Sequence, residues 1–284
     1  MRTALKLGLR VLSVVLPGVA AKIATRLWFR VAKPPVSQEA QQVLGRGARS
    51  ELRVDDTAVV AWRWGTGPAV LLVHGWGGYA GQLHAFVEPL TRAGCQVVAF
   101  DAPSHGESGP SKWGARQATL FEFAEAMVAA SRDATRIAGV IAHSGGCAAV
   151  AWALRTHGEW RPGRVVFIAP FGNPARYMDI FQRSLGFTNA VMDRFRANTE
   201  RMFDFRWAEF AVPRAAQVVK TPPVLVIHDR DDRETMWQDG ADIAASWPDA
   251  TLHTTTGLGH NRILRDAATV DLAVRFVTQA SLPT

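Results

Sequence analysis

Residues 136–151 decide the fold, and they read RIAGVIAHSGGCAAVA. An apolar run typical of a buried strand stops at His-Ser-Gly-Gly, and small apolar residues then continue at a spacing that suits a tightly packed helix. A serine at such a strand-to-helix turn has its hydroxyl exposed above the edge of the sheet. Ala142 stands where the usual Gly-x-Ser-x-Gly pattern has glycine, so Ser144 is a candidate nucleophile that needs support from the rest of the chain.

The composition is that of a globular protein with one large domain. The 284 residues are 48% hydrophobic and 20% charged, which is enough to bury a sizeable core. The two cysteines, Cys95 and Cys147, are too few for a disulfide framework and are expected to be buried free thiols. The histidines and cysteines lack the spacing of a zinc site, so the sequence predicts neither a metal nor another cofactor.

The positive charge of the chain is concentrated at its N-terminus. The sequence contains 32 basic and 25 acidic residues, which gives a net charge of +7. Residues 1–38 contain no acid and seven of the basic residues, so the remaining chain is neutral. These seven are Arg2, Lys6, Arg10, Lys22, Arg26, Arg30 and Lys33. Because the excess charge is confined to this segment, a basic nucleic-acid-binding domain is disfavoured.

Residues 1–36 are predicted to form a basic amphipathic arm of two helices, separated at Pro17-Gly18. Basic residues recur at every fourth position within each helix. Apolar faces are supplied by Leu9, Leu12, Val15, Leu16, Ile23, Leu27, Trp28 and Val31. This pattern is typical of helices that lie on an anionic membrane surface, here through residues 1–33, in a cytoplasmic protein peripheral to the membrane.

Two alternatives for the arm stay open. A signal peptide cleaved near Val19-Ala20-Ala21 would export the protein, although basic residues interrupt its apolar run. Alternatively, the arm packs on the protein's own domain or on a partner subunit. A spanning helix is disfavoured because the longest uncharged stretch, residues 11–21, is about half of what a bilayer requires.

Strands and helices alternate along most of the chain, which predicts an α/β fold with a doubly wound, mostly parallel sheet. A hairpin over residues 51–64 precedes the first buried strand. The core is expected over residues 50–170 and 216–284. Between them, residues 171–215 lose the alternation and carry many aromatic side chains, so they are predicted to form a helical cap over the carboxyl edge of the sheet.

An acidic loop and a histidine follow two later strands, at the same predicted sheet edge as Ser144. The strand at residues 223–228 is followed by the acidic loop at residues 229–232, and the next strand is followed by His260. A serine hydroxyl needs a base to take its proton, and that base needs an acid to orient it. The chain order of serine, acid and histidine is therefore a candidate for nucleophilic catalysis.

At this point the sequence resembles the α/β-hydrolase superfamily over roughly residues 50–280. The motifs that carry the resemblance, in chain order, are LLVHGWGG, FDAPSHGES, IAHSGG, PVLVIHDRDD and GLGHNRIL. The resemblance implies that Ser144 is the nucleophile and that His260 is the general base. It also implies that Asp232 is the acid, with Asp231 as the alternative because this loop carries three acids in four positions.

The resemblance implies further roles around this group. The backbone N–H groups of Trp76 and Gly145 would form an oxyanion hole, because the loop after an earlier strand reaches the same sheet edge. The residues expected to support the site are His74, Gly75, His143 and Gly146. The departures from the family pattern are Ala142 and Asp229, each in place of a usual glycine.

The implied function is a serine hydrolase that cleaves carboxylic esters of small molecules or lipids through an acyl-enzyme. Thioesters, lactones, amides and lysophospholipids stay open as substrates on the same residues. A different class is suggested by Gly75-x-Gly77-x-x-Ala80 with Asp101 further on, which is similar to the dinucleotide fingerprint of oxidoreductases. A third possibility is a non-catalytic, membrane-associated scaffold.

Overall fold

The computed structural model describes residues 2–279, except the side chain of Arg2. Its strands belong to one eight-stranded sheet. They are β1 (Ala48–Val54), β2 (Thr57–Trp64), β3 (Ala69–Val73), β4 (Gln96–Phe100), β5 (Ile137–His143), β6 (Arg164–Ile168), β7 (Val224–Asp229) and β8 (Ala250–Thr255). Their order in the sheet is β1-β2-β4-β3-β5-β6-β7-β8. The pairs that include β2 are antiparallel and all the others are parallel, so the predicted α/β class with a mostly parallel sheet is confirmed.

The helices surround this sheet. They are α1 (Arg2–Val15), α2 (Pro17–Trp28), α3 (Gln38–Leu44), α4 (Val87–Arg92), α5 (Leu120–Ala130), α6 (Gly145–Thr156), α7 (Pro174–Leu185), α8 (Asn189–Phe203), α9 (Trp237–Ser246), α10 (Gly259–Arg262) and α11 (Ala267–Thr278). Short 3-10 helices add Ala80–Phe86, Trp207–Phe210 and Val212–Gln217.

The central strands are apolar throughout because helices cover both faces of the sheet. Every residue of β3 is buried, as expected of a parallel strand with a helix layer on each side. One face packs against α5 and α6, whose buried side chains include Phe123 and Met127. The other packs against α4 and α11, where Leu90 and Val274 are buried. Because β3 to β8 all run parallel, their carboxyl ends lie at one edge of the sheet.

Side-chain caps define two of the helices. The helix α3 begins where the Ser37 hydroxyl accepts a hydrogen bond from the N–H of Ala40 at 3.2 Å. The last described segment is divided into α10 and α11, because Asp266 caps α11 by accepting a hydrogen bond from the N–H of Thr269.

The chain divides into two compact units. One combines α1 and α2 with Asn173–Ala211, and the other contains Val31–Gly172 and the described chain from Val212 onward, including the whole sheet. The aromatic segment expected at residues 171–215 thus corresponds to a helical unit whose bounds lie slightly inside the predicted ones. The expectation that it caps the sheet stays a prediction.

The first unit is built around Trp28 at the end of α2. The ring centroid of Trp28 lies 5.3 Å from that of Phe181, 5.7 Å from that of Phe195 and 5.7 Å from that of Trp207. Three alanines of α2 are completely buried, namely Ala20, Ala21 and Ala24. The helix α2 packs against both α1 and α8, and small residues such as these alanines let helices approach closely. Within this unit, the arm therefore packs on a helical segment of its own chain.

Over the described part of the chain, no helix combines the length and the apolar character that crossing a membrane would require.

Candidate active site

Ser144 occupies the turn between β5 and α6. The strand ends at His143 and the helix begins at Gly145, which leaves Ser144 alone at the corner with φ of 50° and ψ of −120°. Its N–H donates to the carbonyl of Ile168 at 3.0 Å. A non-glycine residue in this region stores about 1–3 kcal/mol of strain and persists only where its surroundings enforce it. Such strain is typical of residues at active sites.

The small residues near this turn are required by close backbone contacts. A Cβ added at Gly146 would overlap the carbonyl oxygen of His74, so no side chain fits at that position. A Cβ at Gly75 would lie 3.0 Å from the Cβ of Ser144. The loop after β3 therefore lies directly against the turn after β5, its neighbour in the sheet.

His260 and Asp232 form the closest pair of ionisable groups at this sheet edge. The Nδ1 atom of His260 lies 2.7 Å from Oδ2 of Asp232, and the carboxylate is completely buried. This contact assigns the proton of the neutral ring to Nδ1, which leaves Nε2 as the basic nitrogen. His260 adjoins the Ser144 turn, because its ring centroid lies 4.5 Å from that of His143.

Asp232 stays ionised in spite of its burial. Burial alone would raise the pKa of this carboxyl group. Hydrogen bonds from His228 and His260, together with the N–H of Thr235, outweigh that effect and hold the pKa well below its usual range. The buried carboxylate is thus a permanent negative charge behind His260 at neutral pH.

The two other acids of the loop face a different segment. Asp229 Oδ2 accepts hydrogen bonds from the hydroxyl of Thr255 at 2.7 Å and the N–H of Leu258 at 3.0 Å. Asp231 Oδ2 accepts from the N–H of Gly257 at 2.8 Å. Both carboxylates hold the loop that leads to His260, whereas Asp232 contacts His260 itself.

Trp76 and Gly145 bring two backbone segments together beside Ser144. A Cβ added at Gly145 would lie 3.3 Å from the backbone nitrogen of Trp76. The first N–H groups of a helix have no acceptor within the helix, and Gly145 opens the twelve-residue α6. The backbone of Trp76 therefore lies against that of Gly145, and the role of their N–H groups as oxyanion donors stays a prediction.

Comparison with known proteins identifies the family. The model of the alpha/beta hydrolase family matches residues 70–272, which is more than two thirds of the chain. The chain belongs to this family. The resemblance seen in the sequence motifs is thereby confirmed, whereas a search of curated proteins gave no match.

Solved structures share the fold of this alpha/beta hydrolase at low sequence identity. A membrane phospholipase A described as a novel bacterial virulence factor is 17% identical, with a TM-score of 0.63, and the match covers 96% of this chain and 98% of that one. A serine hydrolase involved in carbazole degradation is 14% identical (TM-score 0.60, coverage 82% and 100%). The thioesterase domain from the curacin biosynthetic pathway is 13% identical (TM-score 0.57, coverage 81% and 98%). At these identities the likeness shows the fold alone.

Two histidines of the hydrolase brace its site from within the core. The Nε2 atom of His143 donates to the carbonyl of His260 at 3.0 Å. Burial, together with the nearby His260, lowers the pKa of His143 to about 3, so its ring is neutral. His74 connects two loops, since its Nδ1 lies 2.8 Å from the carbonyl of Gly75 and its Nε2 accepts from the N–H of Ala102.

The sequence analysis did not single out Thr235, whose hydroxyl lies close to both Asp232 and His260. Its buried hydroxyl is 3.0 Å from Asp232 Oδ2, 3.2 Å from His260 Nδ1 and 3.0 Å from the carbonyl oxygen of Ala169. A hydroxyl three residues after an acidic turn is a weak signal in sequence, because Ser and Thr at such positions usually cap local backbone. The Nε2 atom of the buried His228 lies 3.5 Å from Asp232 Oδ2.

Asp101 is engaged in holding two loops of the hydrolase, which argues against the dinucleotide alternative. Its carboxylate accepts hydrogen bonds from the N–H of Ala80 and the N–H of Glu107, both at 2.6 Å. Burial raises the pKa of Asp101 to about 6 in spite of these bonds. The segment after Gly77 continues as the 3-10 helix Ala80–Phe86. The carboxylate that would bind a ribose is therefore occupied by backbone.

A cavity of about 550 Å³ lies beside His260. It is lined by Arg230, Asp231, Asp232, Arg233, Glu234, Gly257, Gly259, His260 and Arg262. Glu234 was not singled out in the sequence, yet its Oε2 atom lies 3.9 Å from Nε2 of His260. The basic and acidic side chains of this lining balance, so the cavity favours no ion of either sign. Among residues 2–279, no group of three or more His, Cys, Asp or Glu side chains is arranged to hold a metal ion.

Proposed function

We propose that this alpha/beta hydrolase is a serine hydrolase that cleaves carboxylic esters through an acyl-enzyme. The observation that carries the proposal is the 2.7 Å contact between His260 Nδ1 and the buried Asp232 carboxylate, on a histidine that adjoins the strained Ser144 turn. An oriented imidazole with a basic Nε2 atom is the group that a serine hydroxyl needs in order to react at neutral pH.

In the proposed reaction, Oγ of Ser144 attacks the ester carbonyl carbon while Nε2 of His260 takes the hydroxyl proton. The carbonyl oxygen becomes an oxyanion, which the N–H groups of Trp76 and Gly145 stabilise. Collapse of the tetrahedral intermediate breaks the bond to the alcohol, which leaves with the proton from His260. Water then attacks the acyl-enzyme with His260 again as base, and the carboxylic acid is released as Ser144 regains its proton.

The ionised Asp232 supports this cycle in two ways. It fixes the tautomer of His260, and it stabilises the imidazolium that forms each time the ring takes a proton. Because the pKa of Asp232 lies well below its usual range, the carboxylate remains charged through the pH range in which a histidine base operates.

The proposed mechanism accommodates several classes of acyl substrate. Esters of small molecules or lipids come first, and thioesters, lactones and lysophospholipids react on the same groups. One structural neighbour is described as a membrane phospholipase A and another as a thioesterase domain, which guides the choice of substrates to test. Neither name transfers to this chain without such a test.

The decisive experiment combines a fluorophosphonate probe with a series of p-nitrophenyl esters of increasing chain length. The wild-type protein is expected to be labelled, and Ser144→Ala is expected to lose both labelling and at least about a thousandfold of kcat. The chain-length optimum then sizes the acyl pocket. Acyl-thioester and lysophospholipid substrates, tested in parallel, separate the remaining substrate classes.

Ser246→Ala is the matched control, because the hydroxyl of this exposed serine donates locally, to the carbonyl of Asp242 one helical turn earlier at 2.7 Å. It is expected to keep full labelling and activity. If Ser144→Ala retains wild-type esterase activity, the acyl-enzyme mechanism is wrong. Labelling of both wild type and Ser144→Ala at another residue would also contradict it. A non-catalytic scaffold predicts no labelling of the folded wild-type protein.

A further inference from the structure

The outer face of α1 is apolar and uncovered. Of the large hydrophobic side chains that are exposed in the described chain, seven of eleven fall within residues 5–19. Four of them, Leu7, Val11, Val14 and Val15, follow the i, i+4, i+7, i+8 spacing that places side chains on one face of a helix. They are 55–70% exposed. We refer to these four residues as the outer stripe.

The outer stripe differs from the face that α1 uses for packing. Leu9 and Ser13 are buried, and the Ser13 hydroxyl donates to the carbonyl of Leu9 at 2.6 Å. These two residues lie on the opposite side of the helix from Val11 and Val14 at 100° per residue. The sequence interpretation grouped Leu9 with Val15 and Leu16 on the membrane face, whereas the structure buries Leu9 and leaves Val15 and Leu16 66% and 51% exposed. A second apolar face of α1 is therefore left without cover from the described chain.

Basic side chains border the outer stripe along one edge. Arg10 lies three residues after Leu7 and four before Val14, and Lys6 lies one turn before Arg10. Both side chains are exposed. The backbone and stem of Lys6 lie against Gly186 at the end of α7, which holds this edge of α1 in place within its unit. No acid occurs before Glu39, so no carboxylate of the arm offsets these charges.

We propose that the outer stripe of α1 docks on an anionic phospholipid bilayer and lies in the plane of its headgroup region. An apolar stripe flanked by cations matches such a surface, because the side chains enter the acyl boundary while the cations reach the lipid phosphates. A second copy of this chain fits less well, since it would bring two basic helices against each other. The inference goes beyond ester cleavage and does not depend on it.

The test is co-sedimentation of the full-length protein with vesicles. Vesicles of phosphatidylcholine alone are compared with vesicles of equal parts phosphatidylcholine and phosphatidylglycerol, at low and high salt. We expect binding to the anionic vesicles that weakens with salt, as screening of the basic edge requires. The triple variant Leu7→Ser/Val11→Ser/Val14→Ser is expected to bind at least about tenfold more weakly.

Two further variants keep the result interpretable. Lys6→Gln/Arg10→Gln keeps the stripe and is expected to lose about tenfold of its binding to anionic vesicles with little change on phosphatidylcholine. Val218→Ser removes an exposed apolar side chain far along the sequence, 61% exposed in the wild type, and is expected to bind like wild type. Circular dichroism melting verifies that each variant is folded.

Three results would overturn the proposal: no binding of the wild type to anionic vesicles, equal binding by the folded triple variant, or loss of binding in Val218→Ser as well. Gel filtration without lipid tests whether a second copy of the chain occupies the outer stripe instead. A dimer that forms in the wild type and is lost in the triple variant would show that it does. The binding assay does not depend on hydrolysis, so a protein that fails to bind vesicles would not contradict the proposed esterase activity. Conversely, an inactive protein that still binds vesicles would refute only the proposed function.

Discussion

The three aspartates of the acidic loop differ in what they contact, and this difference favours Asp232 over Asp231 as the partner of His260. Asp229 and Asp231 accept hydrogen bonds from the segment before His260, whereas Asp232 contacts the imidazole. Sequence alone favoured Asp232 from the family pattern and left Asp231 open, because adjacent residues of a turn can face in any direction. The same limit hid Thr235, whose hydroxyl reaches the pair only in three dimensions.

Asp232→Asn is expected to lower kcat on a p-nitrophenyl ester by about a thousandfold or more, with Asp231→Asn within about threefold of wild type. The amide introduced by Asp232→Asn can present an N–H to Nδ1 of His260, which places the ring proton on the wrong nitrogen. An amide at position 231 keeps an oxygen for the N–H of Gly257. Steady-state kinetics on both variants checks this, and a larger loss in Asp231→Asn would reverse the assignment.

At the scale of elements, the turn around Ser144 was predictable and the packing of the arm was not. The turn is encoded locally, since an apolar strand, a serine and two glycines follow one another in sequence. The arm was recognised as two amphipathic helices for the same reason. The segment on which the arm packs could not be predicted, because contacts between Trp28 and aromatic residues far along the chain leave no local pattern.

Trp28→Ala is expected to destabilise the helical unit of α1, α2 and Asn173–Ala211 by about 3 kcal/mol, because it removes the ring that contacts three other aromatic side chains. Limited proteolysis should then cut within this unit faster than in wild type, and urea unfolding should begin earlier. The control is Val15→Ala, an exposed truncation in the same arm. Equal proteolysis of the two variants would show that Trp28 does not hold the unit together.

At the scale of the whole molecule, the alternation of strands and helices predicted the sheet, its mostly parallel order and the edge that carries the site. These features follow from periodicity and from the handedness of crossovers, which are properties of the whole fold. The division into two units could not be predicted from periodicity, because the first unit joins segments separated by residues 31–172. The helix α3 could not be predicted either, because it depends on a single capping serine.

The stability of the protein is expected to fall as the pH drops from about 6.5 to 4. Burial lowers the pKa of His105 to about 4, that of His143 to about 3 and that of His74 well below its usual value, so the unfolded chain takes up these three protons first. Each histidine costs up to about 1.4 kcal/mol per pH unit in its window. Asp101, whose pKa burial raises to about 6, acts in the opposite direction and cancels one of them.

Urea unfolding at a series of pH values tests this balance. The net loss is expected to be up to about 2.8 kcal/mol per pH unit between pH 6 and 4, and His105→Asn is expected to halve it. The amide of Asn can still donate toward the carbonyl of Pro103, which His105 contacts at 2.9 Å, but it does not titrate. Parallel curves for wild type and variant would exclude His105 as a source of acid sensitivity.

The joining of α1 and α2 with Asn173–Ala211 has a consequence for synthesis on the ribosome. The two helices leave the exit tunnel first, whereas α7 and α8, which cover Trp28, follow only after the intervening chain has been translated. At bacterial or eukaryotic elongation rates this delay is on the order of 10–40 s. Throughout that interval the apolar side chains of the arm that α7 and α8 later cover, Trp28 among them, stay exposed to solvent.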